Sequence, residues 1–598
     1  MRVWYIRTRR YPRVLNRMYS MDLAYRAGLA LGGLSLAVFF LGVTGQLSPA
    51  FLVIALAIAA ASFIYSCRKV SFQGLKDLSE AEKLLLAACV FSILLILPLA
   101  LMPPSVRDEL IQHLALPKLY INEGRIWEIK HIGFSYLPQN IDLLYLIPLA
   151  LGSDIAPRLV HLLFAVLTAG LVYAFILPRA GRLYGLIGFA LYMTTPLVFN
   201  LSRMAYIDHG AAFFSMLSFM AALRYRDEGS TKWLAISAAA MGLGLGAKYN
   251  ILISFFLIGL FITAVSYKRS GIVGAVKKSV LFALVALAVL SPWLIRNYAW
   301  TGSPFYPLFE TAAGSVARGE GLHVTGEMAP VGKRFLLYGE GLLDILILPL
   351  RLFWEGADNS IEKFDGVLNP FFLAFIPLAF LRKEKDAKLL LAFSLFFFAL
   401  AALTVDLVTR YLLPVIPAIV ILVTLGIRNG FGSRSLRLPA AVILAALAAF
   451  NAYYAFGLYQ KTNAVSYFAS GMDREEYLKE KLPDYDVVSF GNKALPERAK
   501  VMLVFTGDRG YYWDRDYIYG DRTGVFLKSM MKNSGDAGAL AAGFKSYGAT
   551  HLMVNEAIFQ RFVNDNFNEQ ELEVLSSFFN TRTERMYSSR GYSLLKIL

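Results

Sequence analysis

The chain has 598 residues, of which 57% are apolar and only 17% charged, and its mean hydropathy is +0.52. A soluble chain of this length would form several domains with a richer charged surface, so the composition excludes a disordered protein and most cytosolic enzymes. It predicts a membrane protein with many spans. The formal net charge of +16 then reflects either the topology of the loops or a nucleic-acid surface.

Apolar runs of roughly 17–25 residues cross a hydrocarbon core of ~30 Å as helices. The runs that we predict to cross, one of them shorter than the rest, are 24–44, 48–66, 81–102, 156–177, 183–200, 207–225, 231–247, 250–267, 276–295, 367–381, 387–404, 410–427 and 437–457. Two further apolar pieces, 140–152 and 338–354, are short or interrupted. We expect them to be re-entrant or to lie along the membrane surface.

Basic residues concentrate in the N-terminus and in six short loops: 67–76, 178–182, 224–232, 268–278, 382–388 and 428–437. Cytoplasmic loops carry an excess of Lys and Arg, so we place all of these on the cytoplasmic side. Loops on the two sides of the membrane then alternate along the chain, and this alternation is consistent with about thirteen crossings. The loops 103–155 and 296–366 then lie outside. Because the basic excess is spread over short loops, the charge predicts topology and no nucleic-acid partner.

The tail regains charge from Gln460 onward and contains no further spanning run. Val501–Phe505 and His551–Val554 are typical of strands, and Asp536–Tyr547 and Glu571–Phe579 of helices. We therefore predict an all-α polytopic membrane protein with a small soluble α/β domain at its C-terminus. The expected parts are 1–80 (a basic cytoplasmic N-terminus and two helices), 81–458 (the main transmembrane domain) and 459–598 (the soluble domain).

Short cytoplasmic loops and the lack of an evident cleavable signal favour a prokaryotic plasma (inner) membrane. In this topology the N-terminus is cytoplasmic and the tail is periplasmic or extracellular. The two cysteines, Cys67 and Cys89, lie in or beside apolar runs and are too few for a disulfide framework or a zinc site.

The first outer loop begins with an acidic pair, Asp108-Glu109, on an amphipathic segment. On a helix Glu109 and His113 are i,i+4 neighbours. A carboxylate beside an acceptor hydroxyl can take its proton as a general base. The alternative is structural, because Ser105 to Asp108 has the spacing of a capping box. We expect Pro117 to start a second short helix that ends at Gly124.

A second acidic residue, Asp208, lies at the predicted outer end of a span, where it either stabilises a helix N-terminus or serves the function. Cations collect on the same predicted side: Lys118, Arg158, Lys248, Arg296 and Arg410. Each alone is typical of snorkelling or interfacial anchoring. As a set beside acidic residues they favour a phosphate group, bound by charge-assisted hydrogen bonds. They therefore indicate a lipid-linked phosphate substrate.

The histidines raise a metal alternative. His113, His131 and His209 are predicted outside, near Asp108 and Asp208, but no short ligand spacing supports a site. We predict no metal ligand, and a divalent cation stays an open alternative. His161 is interpreted as a buried histidine of a span.

Several short motifs follow one another in order along residues 81–458. They are Asp108-Glu109 with His113, Pro117 and Gly124; Ala156-Pro157-Arg158-Leu159; Asp208; Gly246-Ala247-Lys248-Tyr249; Ser291-Pro292-Trp293-Leu294-Ile295-Arg296-Asn297-Tyr298; Gly302-Ser303-Pro304-Phe305-Tyr306-Pro307; and Arg410-Tyr411-Leu412-Leu413-Pro414. The ordered set resembles the GT-C fold glycosyltransferases, which include the lipid A aminoarabinose transferases and the protein O-mannosyltransferases. The two helices before residue 81 depart from that pattern.

The resemblance implies inverting transfer of a sugar from a polyprenyl-phosphate carrier to a lipid, glycan or protein acceptor at the outer face of the membrane. It implies catalytic roles for Asp108, Glu109 and Asp208. The residues expected to bind the lipid phosphate or the sugar are Lys248, Arg296, Arg410, His113, Lys118, Tyr249, Arg158 and His209. The alternative function is a transporter or flippase of a lipid-linked glycan, which would carry its ionisable residues in broken helices near the midplane.

Overall fold

The fold was analysed in a computed structural model, which describes residues 11–68, 78–308, 330–521 and 524–598. The basic residues of the first ten positions, the predicted cytoplasmic loop at 69–77 and part of the predicted outer loop, 309–329, lie outside the described residues. The chain divides into two compact units. The first comprises Met1–Met102, Pro138–Arg296 and Gly326–Ala464, and the second comprises Pro103–Leu137, Asn297–Thr325 and Val465–Leu598.

The first unit is helical. Its helices are Tyr11–Val43, Pro49–Cys67, Glu80–Ala100, Asp142–Ala150, Ala156–Ala180, Arg182–Thr194, Pro196–Leu201, Asp208–Glu228, Thr231–Leu245, Leu252–Thr301 (whose last residues pass into the second unit), Pro330–Tyr338, Leu342–Leu346, Leu348–Arg351, Phe372–Phe375, Ala387–Thr404, Ile416–Gly432 and Arg437–Thr462. Shorter 3-10 turns cover Tyr249–Ile251, Pro377–Phe380 and Thr409–Val415. The predicted all-α membrane architecture is confirmed.

Eight elements in the described part of the chain are long and apolar enough to cross a membrane. One of them, Tyr249–Thr301, holds two of the predicted spans, because its helix breaks at Ser270 and Gly271, and Gly271 adopts a φ of 65°. The predicted spans at 183–200, 207–225 and 231–247 also form helices, but they fall outside these eight. The count of thirteen crossings therefore stays a prediction.

Two apolar pieces behave differently from the long spans. The predicted crossing at 367–381 forms only Phe372–Phe375 and the 3-10 turn Pro377–Phe380, because prolines interrupt it. The piece at 140–152 forms a nine-residue helix, Asp142–Ala150. At 1.5 Å per residue that helix is about 14 Å long, which is too short to cross.

The second unit contains a mixed five-stranded sheet in the order β2-β1-β3-β5-β4. The strands are β1 Lys500–Val504, β2 Asp516–Asp521, β3 His551–Asn555, β4 Thr583–Ser589 and β5 Tyr592–Ile597. Strand β1 pairs in parallel with β2 and β3, while β5 is antiparallel to β3 and β4. The predicted small α/β domain is confirmed.

Helices surround this sheet and shorter elements precede it. They are the π-helical turn Glu109–His113, Ala115–Glu123, the 3-10 turn Gly133–Tyr136, Arg474–Lys481, Tyr485–Ala494, Val525–Lys532, Ala537–Ser546, Glu556–Asn566 and Glu569–Thr581. Leu540, Leu552 and Phe578 are among the buried apolar residues between helices and sheet. The segment 103–137, which carries the acidic pair, belongs to this unit.

Candidate functional site

The N-terminal end of helix Asp208–Glu228 meets the C-terminal end of helix Thr231–Leu245, since the two helices form a hairpin. The hairpin turns at Gly229, whose φ of 73° lies in the left-handed region that glycine adopts without strain. The first residue of the hairpin, Asp208, therefore lies at the same end as the residues that follow its second helix.

An ion pair joins Asp208 and Lys248 at this end. Lys248 Nζ donates to Asp208 Oδ1 over 2.6 Å. The side chain of Asp208 is only 3% exposed, whereas that of Lys248 is 19% exposed. Lys248 lies in extended backbone between the helix and the 3-10 turn Tyr249–Ile251, so its side chain is not part of a regular helix face.

A second cation, Arg410, lies near the same carboxylate. Its guanidinium is 5.2 Å from the ring centroid of Tyr206 and 5.4 Å from that of Tyr411. Lys248 Nζ is 4.2 Å from the ring of Tyr411, and Arg410 is within electrostatic range of Asp208. We call these five residues the Asp208 cluster. It brings two cations close to the Asp208 carboxylate and places them beside aromatic faces, which also favour positive charge.

The cluster is held from several parts of the first unit. Asn250 Nδ2 donates to the carbonyl of Tyr411 over 3.0 Å. The backbone N–H of Thr409 donates to the carbonyl of Phe364 over 2.6 Å, which fixes the chain immediately before Arg410. These bonds place Arg410 and Tyr411 by backbone contacts that are independent of the ion pair.

The motif Gly246-Ala247-Lys248 is hydrogen-bonded to Asn140. The N–H of Asn140 donates to the carbonyl of Gly246 over 2.8 Å, and Trp293 Nε1 donates to Asn140 Oδ1 over 2.7 Å. A Cβ on Gly246 would lie 2.1 Å from Asn140 Nδ2. The close approach therefore requires glycine, two residues before the lysine of the cluster.

His161 and His209 are both fully buried beside Asp208. His161 Nδ1 lies 2.7 Å from the carbonyl oxygen of Met204, and His161 Nε2 accepts the backbone N–H of His209 over 3.0 Å. A carbonyl only accepts, so Nδ1 carries the proton and the imidazole is neutral. His161 thus satisfies an N–H in the first turn of the helix that begins at Asp208.

The remaining predicted residues of the first unit are buried against protein. Arg158 is 1% exposed, and its Nη1 donates to the carbonyl of Met102 over 2.6 Å. Arg296 is 5% exposed and lies 4.6 Å from the ring of Trp293. Tyr249 is half-buried, and His209 Nε2 lies 3.0 Å from Ser202 Oγ. Their roles in substrate binding stay predictions.

The acidic pair lies in the second unit on the π-helical turn Glu109–His113. Glu109 is fully buried, and its Oε2 accepts the N–H of Val106 over 3.2 Å. Asp108 is half-buried, and His113 is 5% exposed. Asp108 is therefore the more accessible carboxylate of the pair, which favours it over Glu109 as a base. The second helix forms as expected and ends at Gly124, which adopts a φ of 72°.

Lys118 has three acceptors within the second unit. Its Nζ donates to the carbonyls of Tyr511 and Trp513, each over 3.0 Å, and to Asp514 Oδ1 over 2.9 Å. An ammonium group has three protons, so these contacts use its full donor capacity. In the structure this lysine, which was predicted to bind substrate, links two segments of the same unit by hydrogen bonds and an ion pair.

Sequence reasoning left Tyr206, Tyr411, His161 and Asn140 out of the predicted site. Tyr206 and Tyr411 are each adjacent to, or two residues from, a predicted site residue, so proximity along the chain was the available signal. Asn140 gave no signal, since its role depends on contacts with residues about a hundred positions away. Among the described residues, no three His, Cys, Asp or Glu side chains come together to hold a metal ion.

Part of the chain matches a protein-family model. The family model described as dolichyl-phosphate-mannose-protein mannosyltransferase matches residues 145–295, which include Asp208 and Lys248. Among curated proteins, none matches this chain in sequence.

Solved structures give broader matches. ArnT from Cupriavidus metallidurans in the apo state aligns with a TM-score of 0.56 at 13% identity, covering 86% of this chain and 98% of ArnT. The same protein bound to undecaprenyl phosphate aligns with a TM-score of 0.53 at 12% identity, covering 86% of this chain and 97% of ArnT. This chain has the GT-C fold. The resemblance noted in the sequence is confirmed at the level of the fold, and the alignments cover nearly the whole length of ArnT.

Proposed function

We propose that this chain is a membrane glycosyltransferase that moves a sugar from a polyprenyl-phosphate carrier to an acceptor hydroxyl on a lipid, glycan or protein. The observation that carries the proposal is the Asp208 cluster, where two cations, Lys248 and Arg410, lie near the Asp208 carboxylate. A phosphate group would accept charge-assisted hydrogen bonds from such cations.

The likenesses to other proteins support the same substrate class. The matched family model is one of dolichyl-phosphate-mannose-protein mannosyltransferases, and one matched structure is of ArnT bound to undecaprenyl phosphate. Both descriptions involve a long isoprenoid phosphate. We extend that chemistry to this chain, together with a location in a prokaryotic plasma membrane and transfer at its outer face.

In the proposed reaction Asp108 takes the proton of the acceptor hydroxyl while the acceptor oxygen attacks the anomeric carbon. The attack comes from the side opposite the phosphate, so the configuration at that carbon inverts. The bond between the anomeric carbon and the phosphate oxygen breaks, and its electron pair stays on the phosphate. Lys248 and Arg410 stabilise the added negative charge, with Arg296 as a further candidate cation.

The first experiment measures lipid binding by the full-length protein in nanodiscs. The probe is undecaprenyl phosphate, and undecaprenol, which has the same tail and no charge, is the control. We expect only the phosphate to raise the melting temperature. Lys248→Met should abolish this shift, while Lys385→Met should retain it. Lys385 is a matched control because it pairs over 2.6 Å with Asp227, at the opposite end of the helix from Asp208.

The second experiment measures turnover. The full-length protein is incubated with undecaprenyl phosphate carrying a radiolabelled hexose or pentose, in the presence of bacterial envelope lipids and proteins, and free undecaprenyl phosphate is quantified. We expect label in the acceptor fraction and its loss in Asp108→Asn, which should still bind undecaprenyl phosphate. Movement of the intact lipid across a proteoliposome membrane with no new glycosidic bond would contradict the proposal and favour a flippase.

A further inference from the structure

The segment with the acidic pair contains an unusually wide helical turn. The N–H of Leu114 donates to the carbonyl of Glu109 over 2.9 Å, five residues back, so Glu109–His113 is a π-helical turn. In an α-helix the same N–H would bond to the carbonyl of Leu110. The wide turn releases that carbonyl, and π-turns are frequent at functional sites.

Two donors from the tail bond to consecutive carbonyls of this turn. The backbone N–H of Tyr511 donates to the carbonyl of Leu110 over 3.1 Å, and the hydroxyl of Tyr519 donates to the carbonyl of Ile111 over 2.6 Å. Tyr519 is 6% exposed. Burial raises the pKa of its phenol well above the usual 10, so the hydroxyl keeps its proton and stays a donor.

Further bonds hold the chain on both sides of the turn. Before it, the hydroxyl of Tyr512 donates to the carbonyl of Pro104 over 2.6 Å. After it, Lys118 donates to the carbonyls of Tyr511 and Trp513. The stretch from Pro104 to Lys118, which contains Asp108, is thus fixed at four points by one short part of the tail.

The aromatic rings of Tyr511 and Trp513, in this part of the tail, are mostly buried by packing. Tyr511 is 8% exposed and Trp513 is 2% exposed, which leaves them little free ring surface for stacking on a sugar. Their contacts with the segment at 104–118 therefore explain the aromatic run better than carbohydrate binding does.

We propose that Tyr511, Tyr512 and Tyr519, together called the tyrosine brace, are positioning residues that hold the π-turn and so set the direction of the Asp108 carboxylate. The inference rests on the proposed function, because it assigns to the brace the orientation of the catalytic base. The soluble domain is then a working part of the enzyme, which the reaction needs even though no brace residue touches the reacting atoms.

The test variant is Tyr519→Phe, which removes one hydroxyl and keeps the ring. The ring stacks on Tyr517 with centroids 5.5 Å apart and is edge-on to His131 at 6.4 Å. We expect kcat to fall about 10-fold, the effect of one lost hydrogen bond on an aligned base, with KM for the donor unchanged within about twofold. Tyr587→Phe is the matched control, since Tyr587 stacks on Phe490 at 4.4 Å within the same unit, and its kcat should stay at the wild-type value.

Two measurements separate positioning from general damage. In an Asp108→Asn background the Tyr519→Phe change should not lower the residual rate further, because the group that it positions is gone. Amide hydrogen exchange of the full-length protein should rise in residues 105–114 in Tyr519→Phe and not in Tyr587→Phe. If Tyr519→Phe fails to fold, Tyr512→Phe is measured in the same way.

An unchanged kcat in a folded brace variant, an equal loss in the Asp108→Asn background, or unchanged exchange at 105–114 would overturn the inference. Absence of sugar transfer by the wild-type protein with every donor is a different result. It would contradict the proposed function, while the exchange measurement would still decide whether the brace holds the turn.

Discussion

Lys248 donates to Asp208 over 2.6 Å, and the two partners differ in exposure, at 19% for the lysine side chain and 3% for the aspartate. The carboxylate is enclosed and the ammonium is its accessible partner. Asp208 is therefore suited to orient Lys248, and a substrate anion would meet the lysine first. This geometry favours an electrostatic role for Asp208 over a role as the base.

The pair can be tested with a double-mutant cycle. Lys248→Met leaves the Asp208 carboxylate buried without its hydrogen-bonded partner, and breaking such a pair costs about 3 kcal/mol of unfolding free energy. Asp208→Asn combined with Lys248→Met removes both charges and should recover much of that loss. Chemical unfolding of the purified protein in detergent gives the four free energies.

Activity should respond differently from stability in this cycle. Both Lys248→Met and the double variant should lose turnover by about 10²-fold or more, the usual cost of removing a charge-stabilising donor. A Lys248→Met protein as stable as Lys385→Met would contradict the buried-pair interpretation. Restored turnover in the double variant would contradict the role of Lys248 at the phosphate.

Gly246 gives a steric prediction. In Gly246→Ala the new Cβ would lie 2.1 Å from Asn140 Nδ2, so Asn140 or the turn before Lys248 must move. Such overpacking costs about 1–3 kcal/mol, and we expect a lower melting temperature and weaker binding of undecaprenyl phosphate. Gly457→Ala is the control, since a Cβ there meets nothing within 4 Å and its melting temperature should be equal or higher. Equal behaviour of the two variants would contradict the tight contact.

The long apolar runs predicted most of the helices well, because length and hydropathy are properties of the sequence itself. Ala156–Ala180, Ala387–Thr404 and Arg437–Thr462 lie where the runs at 156–177, 387–404 and 437–457 placed them. The run at 367–381 forms two short elements and no single long helix, because Pro370 and Pro377 interrupt it, which a hydropathy average does not register. The strands β2, β4 and β5 were not predicted, although β4 and β5 are neighbours along the chain and pair with each other.

The site was partly predictable, because the sidedness of two of its residues follows from the predicted spans. Asp208 and Lys248 are the two ends of one helical hairpin, so assigning both to the same side of the membrane was enough to bring them together. Lys118 was predicted to bind substrate, yet its partner Asp514 is 396 residues away, and no local pattern indicates such a contact. The packing of the tail against the acidic segment is likewise a tertiary property.

His161 allows a test of its hydrogen-bonding role. It accepts the N–H of His209 and donates to the carbonyl of Met204. His161→Phe leaves both groups buried without a partner and should cost about 1–3 kcal/mol of unfolding free energy for each. His161→Gln, which offers one acceptor and one donor, should recover part of this loss. Thermal melting and turnover would be compared for both variants, and equal stability of the two would contradict the assignment of His161 as a hydrogen-bonding support of the helix.

His131 predicts how stability depends on pH. Burial, together with the charge of Lys500, lowers the pKa of His131 to about 4 from the usual 6.5. The neutral imidazole is therefore favoured in the folded state, while the unfolded chain binds a proton near pH 6.5. The contribution of His131 to stability is complete above pH 6.5 and is lost as the pH falls from 6.5 to about 4, with a total of about 2–3 kcal/mol.

His131→Leu removes this titration and keeps an apolar side chain of moderate size. The unfolding free energies of the wild-type protein and of His131→Leu would be measured from pH 8 to pH 4 in one detergent. Other groups, such as His551, titrate in both proteins and cancel in the difference. We expect the wild-type protein to lose about 2–3 kcal/mol more than the variant over this range, with the extra loss concentrated below pH 6.5. Parallel curves would show that His131 titrates normally and that its Nε2, which has no hydrogen-bond partner among the residues that the structure describes, is accessible to water.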